Sequence, residues 1–129
     1  MKLNSKLFKL FKLFKLFAAA SGFVTVVLGA FAAHSLKNSL SSYSLDIWQT
    51  AVFYQFVHTL VILQLSYLKP SHLLMRSQIW FSSGVILFSG SLYLLAVTGI
   101  TKLGMLTPIG GVCLLIGWLY LVINIIKND

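Results

Sequence analysis

Acidic residues are almost missing from this sequence, which has two Asp and Glu residues against ten Lys and Arg residues. Neither aspartate, Asp46 or Asp129, lies inside one of the long apolar runs of the chain. Proton-coupled pumps and exporters usually carry Asp or Glu within a membrane span. In addition, no serine has the neighbouring base and orienting group that serine catalysis needs. We therefore expect no enzymatic activity.

Cysteine and charge of either sign are scarce as well. Cys113 is the single cysteine, which excludes an intramolecular disulfide, a CxxC redox pair and a cysteine-rich metal site. Charged residues make up 9% of the chain, against about 25% in ordinary soluble domains. Helices with so few charges cannot each present a polar stripe to water. The composition therefore indicates one membrane domain and no separate soluble domain.

Four apolar runs fill most of the chain, and each approaches the ~20 residues that a helix needs to cross a hydrocarbon core. They are Leu16–Ala33, Ile47–Leu68, Ile79–Val97 and Pro108–Ile126. Membrane barrel strands are shorter and alternate in polarity, so these runs favour helices. A tight turn at residues 69–71 favours antiparallel neighbours. We predict an all-α membrane protein in which residues 18–129 form an antiparallel bundle of four transmembrane helices.

Basic residues are divided unevenly between the two sides that four spans would define. One side, with both termini and the second loop, holds eight: Lys2, Lys6, Lys9, Lys12, Lys15, Lys69, Arg76 and Lys127. The other side holds two, Lys37 and Lys102. The positive-inside rule then predicts cytoplasmic termini, and the residue usage favours a bacterial plasma membrane. The net charge of +8 does not indicate nucleic acid, because half of the basic residues adjoin a span, where anionic lipid is nearer.

A Lys-Leu-Phe triplet repeats four times within residues 1–17, which we assign to a basic segment continuous with the first helix. Each step of three residues rotates by about 300°, so the lysines drift around the helix and form no clean amphipathic stripe. One interpretation is a lipid anchor whose lysines contact anionic headgroups: Lys6, Lys9, Lys12 and Lys15. Another is a low-complexity extension that only enforces orientation. A third is a signal peptide cleaved near residues 30–32.

Small residues recur at steps of three or four within the spans, which in a bilayer lets helix backbones approach closely. The glycines expected at these helix-packing contacts are Gly22, Gly29, Gly90, Gly110, Gly111 and Gly117.

Two helix starts can be predicted from capping patterns. Asp46 followed by Gln49 suggests a capping box at the start of the second helix. Thr107 followed by Pro108 suggests an N-cap and a first helical residue for the fourth helix.

Polar residues within the second span are the best candidates for a functional site. Gln55 and His58 stand three residues apart, on a face with apolar residues at helical spacing. An amide and an imidazole facing lipid would be costly, so we expect both to point into the bundle. The candidate buried polar site comprises Gln55, His58, Tyr54 and His34.

A haem or metal site at His34 and His58 has weak support. His58 lies roughly 16 Å below the start of the second span, at a rise of 1.5 Å per residue. His34 lies at the outer end of the first span, so the two histidines differ in depth by more than one ligand sphere allows. We therefore expect no cofactor, and we expect His58 to make an interhelical hydrogen bond worth ~1 kcal/mol.

Four segments carry motifs in a recognisable order: Gly29–His34, Trp48–His58, Phe88–Tyr93 and Thr107–Gly111, the last followed by Gly117 and Trp118. Together they resemble the domain-of-unknown-function 423 family of small bacterial membrane proteins, which has a mitochondrial relative in animals. The resemblance covers about Phe17 to Ile126, and glycines usual in the family are replaced here by Ala32 and Ser35. It implies four transmembrane helices and an uncleaved first span. It implies no activity.

Two functions remain open from the sequence besides the weakly supported haem protein. The favoured one is a non-catalytic membrane subunit or assembly partner, which would bind a membrane protein or a second copy of the chain. The alternative is an oligomeric solute or ion pathway lined by polar side chains: Gln55, His58, Tyr54, Ser91, Tyr93 and Asn124.

Overall fold

The structure, a computed structural model, describes residues 2–128 and the side chains from Asn4 onward. Every regular element within that range is helical. The four α-helices are α1 (Lys2–Ala33), α2 (Ser42–Leu65), α3 (His72–Thr98) and α4 (Leu106–Asn128). A 3₁₀ helix at Thr101–Met105 leads into α4.

Three stretches of the described chain are long and apolar enough to cross a membrane: Asn4–Ala33, His72–Thr98 and Thr101–Asn128. They correspond to most of α1, to α3, and to the 3₁₀ helix together with α4. Helix α2 is not among them, because glutamines and a histidine interrupt its apolar residues: Gln49, Gln55, His58 and Gln64. The all-helical architecture is thus confirmed, while a fourth span and a closed antiparallel bundle remain predictions.

Helix α3 lies at the centre of the fold. It packs against α4 over the largest interface and against α2 over the next, whereas α1 packs mainly on α2. The main apolar cluster draws residues from all four helices: Leu7, Phe11, Phe14, Ala18, Ile62, Leu65, Leu74, Phe81, Val85 and Leu114. A smaller cluster around Trp48 lies where the end of α1 meets the start of α2.

The Lys-Leu-Phe repeat contributes directly to the main cluster. Leu7, Phe11, Phe14 and Ala18 are buried, at steps of four, three and four residues along α1. Such steps follow the 3.6-residue period of a helix, so one face of the repeat points at the protein even though the lysines are spread around it. Residues 7–17 therefore pack as part of the four-helix fold.

Glycines permit the close approach of α3 and α4. A Cβ on Gly110 would lie 2.3 Å from the backbone nitrogen of Phe88, and one on Gly117 would lie 2.6 Å from the Phe81 ring. Gly84, which faces Leu114 in the same way, joins them in this seam. The remaining predicted packing glycines have more room, with the nearest atoms at 3.5 Å or beyond at Gly22, Gly29 and Gly111, and nothing within 4 Å at Gly90.

Both predicted helix starts are wrong. Helix α2 begins about a turn before Asp46, and its N-cap is Ser41, whose hydroxyl accepts a hydrogen bond from Ser44 N at 3.1 Å. Helix α4 begins at Leu106, directly after the 3₁₀ helix. The 3₁₀ helix continues directly into α4, so α4 needs no separate N-cap residue. The Thr107 hydroxyl does not cap the helix and lies 2.7 Å from Ser91 Oγ on α3.

Candidate functional site

Gln55 joins three helices through one side chain. Its Nε2 donates to the Ser21 hydroxyl of α1 at 3.1 Å, and its Oε1 accepts from the Tyr93 hydroxyl of α3 at 2.7 Å. Ser21 Oγ also lies 2.7 Å from the hydroxyl of Thr59, one turn further along α2. Since Gln55 is only 7% exposed, its amide is satisfied inside the protein, as burial of an amide requires.

The sequence periodicity explains why Gln55 and His58 face inward. The buried residues of α2 recur at steps of three and four along its length: Trp48, Ala51, Gln55, His58, Thr59, Ile62 and Leu65. Both polar side chains therefore share the stripe that packs against the neighbouring helices. The expectation that they point into the protein agrees with their burial.

His58 uses both of its ring nitrogens. Nδ1 lies 2.8 Å from the carbonyl oxygen of Tyr54, and Nε2 accepts from the indole N–H of Trp118 on α4 at 3.2 Å. A carbonyl only accepts, so the proton resides on Nδ1 and the ring is neutral. The rings of Phe81 and Tyr54 lie near the imidazole, with centroids 5.6 and 6.0 Å away. His58 thus links α2 to α4, and ligation of a metal would require breaking one of these two bonds.

His34 does not join this group. It is exposed just after the end of α1, where the neighbouring cluster contains Ala32 and Trp48. His58 lies ten residues along α2 from Trp48, or about 15 Å. Among the described side chains, no three of His, Cys, Asp and Glu come together as metal ligands would.

A cleft between α1 and α3 opens beside Gln55, and we call it the α1–α3 groove. It encloses about 380 Å³ and is lined by Phe17, Ala20, Ser21, Val24, Leu28, Gln55, Val85, Ile86, Ser89, Gly90 and Tyr93. Its walls are mostly apolar, and small residues on both helices keep it open. A Cβ on Gly90 would touch nothing within 4 Å, and Ile86, one turn earlier, is 60% exposed.

Further polar side chains that the sequence did not single out also bond between elements. Ser77 donates to Gly117 O at 2.8 Å, and Ser89 donates to Ala51 O at 2.8 Å. Gln78 is fully buried beside Ser66 at the end of α2, and its Nε2 meets no acceptor among the described residues. Gln78 directly precedes the apolar run Ile79–Val97, and a glutamine at the edge of such a run was a signal that could have identified it. The serines gave none, because a small residue in or beside such a run fits any face.

The residues of the proposed pathway do not form one line. Gln55 and Tyr93 bond to each other, while Ser91 lies against Thr107 at the start of α4. Asn124 lies near the other end of α4, where its side-chain oxygen accepts from Ser71 at 3.0 Å.

Long apolar helices whose polar side chains bond to one another across helix interfaces define an integral membrane protein of the multi-pass type. The family model described as "Protein of unknown function (DUF423)" matches residues 28–111. The chain belongs to this family, which confirms the resemblance found in its sequence. Because the family carries no assigned activity, membership fixes the class of protein and leaves the function open.

Relatives from two bacterial genera are similar in sequence to this chain along most of their own length. The chain is 40% identical over 111 residues to a UPF0382 membrane protein of Staphylococcus saprophyticus. This alignment covers 84% of the chain and 92% of the relative. It is 40% identical over 117 residues to the UPF0382 inner membrane protein YgdD of Escherichia coli (strain K12). This alignment covers 85% of the chain and 86% of the relative. No solved structure matches the chain.

Proposed function

We propose that this protein is a non-catalytic membrane subunit or assembly partner of the bacterial plasma membrane, and that a membrane helix of its partner occupies the α1–α3 groove. The observation that carries the proposal is the groove itself. It is an open, mostly apolar cleft of about 380 Å³ with small residues on both walls. Within a bilayer, small residues of this kind allow close helix–helix contact.

The proposed membrane arrangement has four spans in an antiparallel bundle with both termini in the cytoplasm. Helix α2 has 24 residues, or about 36 Å, which is enough to cross the hydrocarbon core. Its polar residues Gln55 and His58 are buried against neighbouring helices, so they cost little in lipid. The excess of Lys and Arg on the side of the termini supports the cytoplasmic assignment. The name of the Escherichia coli relative, an inner membrane protein, supports the location.

Internal bonding of the polar side chains supports a subunit over a solute pathway. Gln55 and Tyr93 are engaged with each other, and His58 is engaged with Tyr54 and Trp118. Groups that already hold helices together would have to exchange partners to solvate a passing solute. Both ring nitrogens of His58 are engaged in these bonds, so this histidine is not free to act as a base.

The test is photocross-linking in native membranes, followed by purification in mild detergent and mass spectrometry. A photoreactive amino acid replaces Ile86 at the rim of the groove or, as a control, Ile125 on α4, which is also exposed at 51%. We expect one discrete adduct of constant mass from position 86 and none from position 125. The same partner should co-purify with the unmodified chain in constant ratio.

A groove-filling variant makes the test specific. Gly90→Leu places a side chain where a Cβ would meet nothing within 4 Å, so the protein should fold while the groove is blocked. We expect Gly90→Leu to abolish both the adduct and the co-purification at unchanged thermal stability. Equal adducts from both positions, or a partner retained by Gly90→Leu, would contradict the proposal.

A further inference from the structure

Three lysines from two separate elements converge on one cavity. Lys12 and Lys15 of α1 and Lys69 of the α2–α3 turn line a space of about 360 Å³, together with Tyr67 and Ser66. We call this the basic pocket. Lys15 Nζ is held 4.3 Å from the centre of the Tyr67 ring, a distance at which a cation is attracted to the aromatic face. Folding thus brings together three positive charges that are spread over 58 positions of the sequence.

The described part of the chain supplies no acidic partner for these lysines. Its single carboxylate, Asp46, lies in the first turns of α2, whereas the pocket adjoins the end of that helix at Leu65. Nineteen residues separate them, or about 28 Å of helix, which is beyond the Debye length of about 8 Å at physiological salt. Three lysines that line one cavity therefore favour a bound anion there.

We propose that the basic pocket binds the phosphate group of an anionic phospholipid. Lysine ammonium groups bind phosphate as point charges, and basic pockets at the ends of membrane helices accept lipid headgroups. Phe8 and Leu68 flank the cavity and are 63% and 44% exposed, so apolar surface lies beside the charge where a lipid would place its glycerol and acyl chains.

The depth of the pocket fits the surface of a bilayer. Lys15 and Ala33 are 18 residues apart on α1, or about 27 Å, close to the ~30 Å thickness of a hydrocarbon core. Lysines at one end of such a span lie at the level of the phosphates. The inference is independent of the proposed partner, because the α1–α3 groove begins further along α1 at Phe17 and shares no lining residue with the pocket.

Native mass spectrometry of the delipidated full-length protein in detergent tests the proposal. The protein is titrated with phosphatidylglycerol and, separately, with zwitterionic phosphatidylcholine. We expect one tightly bound phosphatidylglycerol per chain and at least about tenfold weaker binding of phosphatidylcholine. Inorganic phosphate added as a competitor distinguishes a lipid site from a site for free phosphate.

Charge-matched variants separate a defined pocket from diffuse attraction. The pocket variant carries Lys12→Gln, Lys15→Gln and Lys69→Gln. The control variant carries Lys6→Gln, Lys9→Gln and Lys102→Gln, which remove the same charge from exposed positions outside the cavity. We expect the pocket variant to lose at least about tenfold in phosphatidylglycerol affinity and the control to stay within about twofold.

Three results would overturn the proposal. Equal losses in the two variants would show that net charge alone attracts the lipid. Equal binding of phosphatidylcholine would show that no anionic headgroup is selected. Displacement by millimolar inorganic phosphate would assign the pocket to free phosphate. Thermal unfolding of both variants should change little, because every replaced lysine except the half-buried Lys15 is exposed, and this measurement shows that a loss of binding is not a loss of fold.

Discussion

Replacing Gly110 by alanine should separate α3 from α4. The new Cβ would lie 2.3 Å from the backbone nitrogen of Phe88, whereas ordinary contact begins at 3.4 Å, so the helices must move apart by about 1 Å. The obstacle is helix backbone, which cannot rotate away as the end of a side chain could. Overpacking of this kind costs about 1–3 kcal/mol, and the better helix propensity of alanine returns up to about 1 kcal/mol. We expect Gly110→Ala to lower the free energy of unfolding by about 1–2 kcal/mol.

The neighbouring glycine provides a control of identical chemistry. A Cβ on Gly111 would lie 3.8 Å from the Phe88 ring, an ordinary van der Waals contact, so Gly111→Ala should leave stability unchanged or slightly raised. Both variants can be unfolded with SDS in detergent micelles and followed by tryptophan fluorescence. Trp118 is a suitable reporter because its ring lies 5.2 Å from that of Phe81 across the same seam. Stabilities within about 0.5 kcal/mol of each other would refute the packing argument.

Two further predictions use the same unfolding assay. Tyr93→Phe removes the hydroxyl that donates to Gln55 Oε1 at 2.7 Å and should cost about 1 kcal/mol, whereas Tyr43→Phe, at a side chain 74% exposed, should cost nothing measurable. Equal effects would mean that the buried bond adds no stability. Phe11→Ala in the Lys-Leu-Phe repeat should cost about 3 kcal/mol because this ring is 2% exposed, and Phe8→Ala, at 63% exposed, should stay within about 0.5 kcal/mol. A neutral Phe11→Ala would mean that the repeat adds nothing to the core.

The inward-facing stripe of α2 could be predicted because two constraints agree there. Gln55 and His58 fall on one face at the helical period, and an amide or imidazole is costly in lipid. The partners of these side chains could not be predicted. Tyr93 and Trp118 reach them from α3 and α4, and helical periodicity identifies a face without identifying the neighbour that covers it.

Local sequence patterns did not predict the features that depend on contacts in the folded protein. The Asp46 capping pattern looked complete, yet α2 continues back to Ser42 because Ser41 caps it one turn earlier. Gly110 and Gly111 are equivalent in the sequence, and only the position of Phe88 makes the first one tight. The leucines and phenylalanines of the Lys-Leu-Phe repeat lie on every side of the helix, as its lysines do. No amphipathic pattern therefore marks the face that is buried against α2 and α3.

The recesses beside α1 direct the search for function to that helix. In the described chain, most buried polar side chains of α2, α3 and α4 bond to a neighbouring helix, and those bonds hold the fold. Helix α1 packs mainly on α2 and lines several recesses, among them the α1–α3 groove and the basic pocket, for which we propose occupants. Variants that alter function without altering stability should therefore concentrate on α1 and on the residues that face it across these two recesses. Variants in the α3–α4 seam should alter stability first.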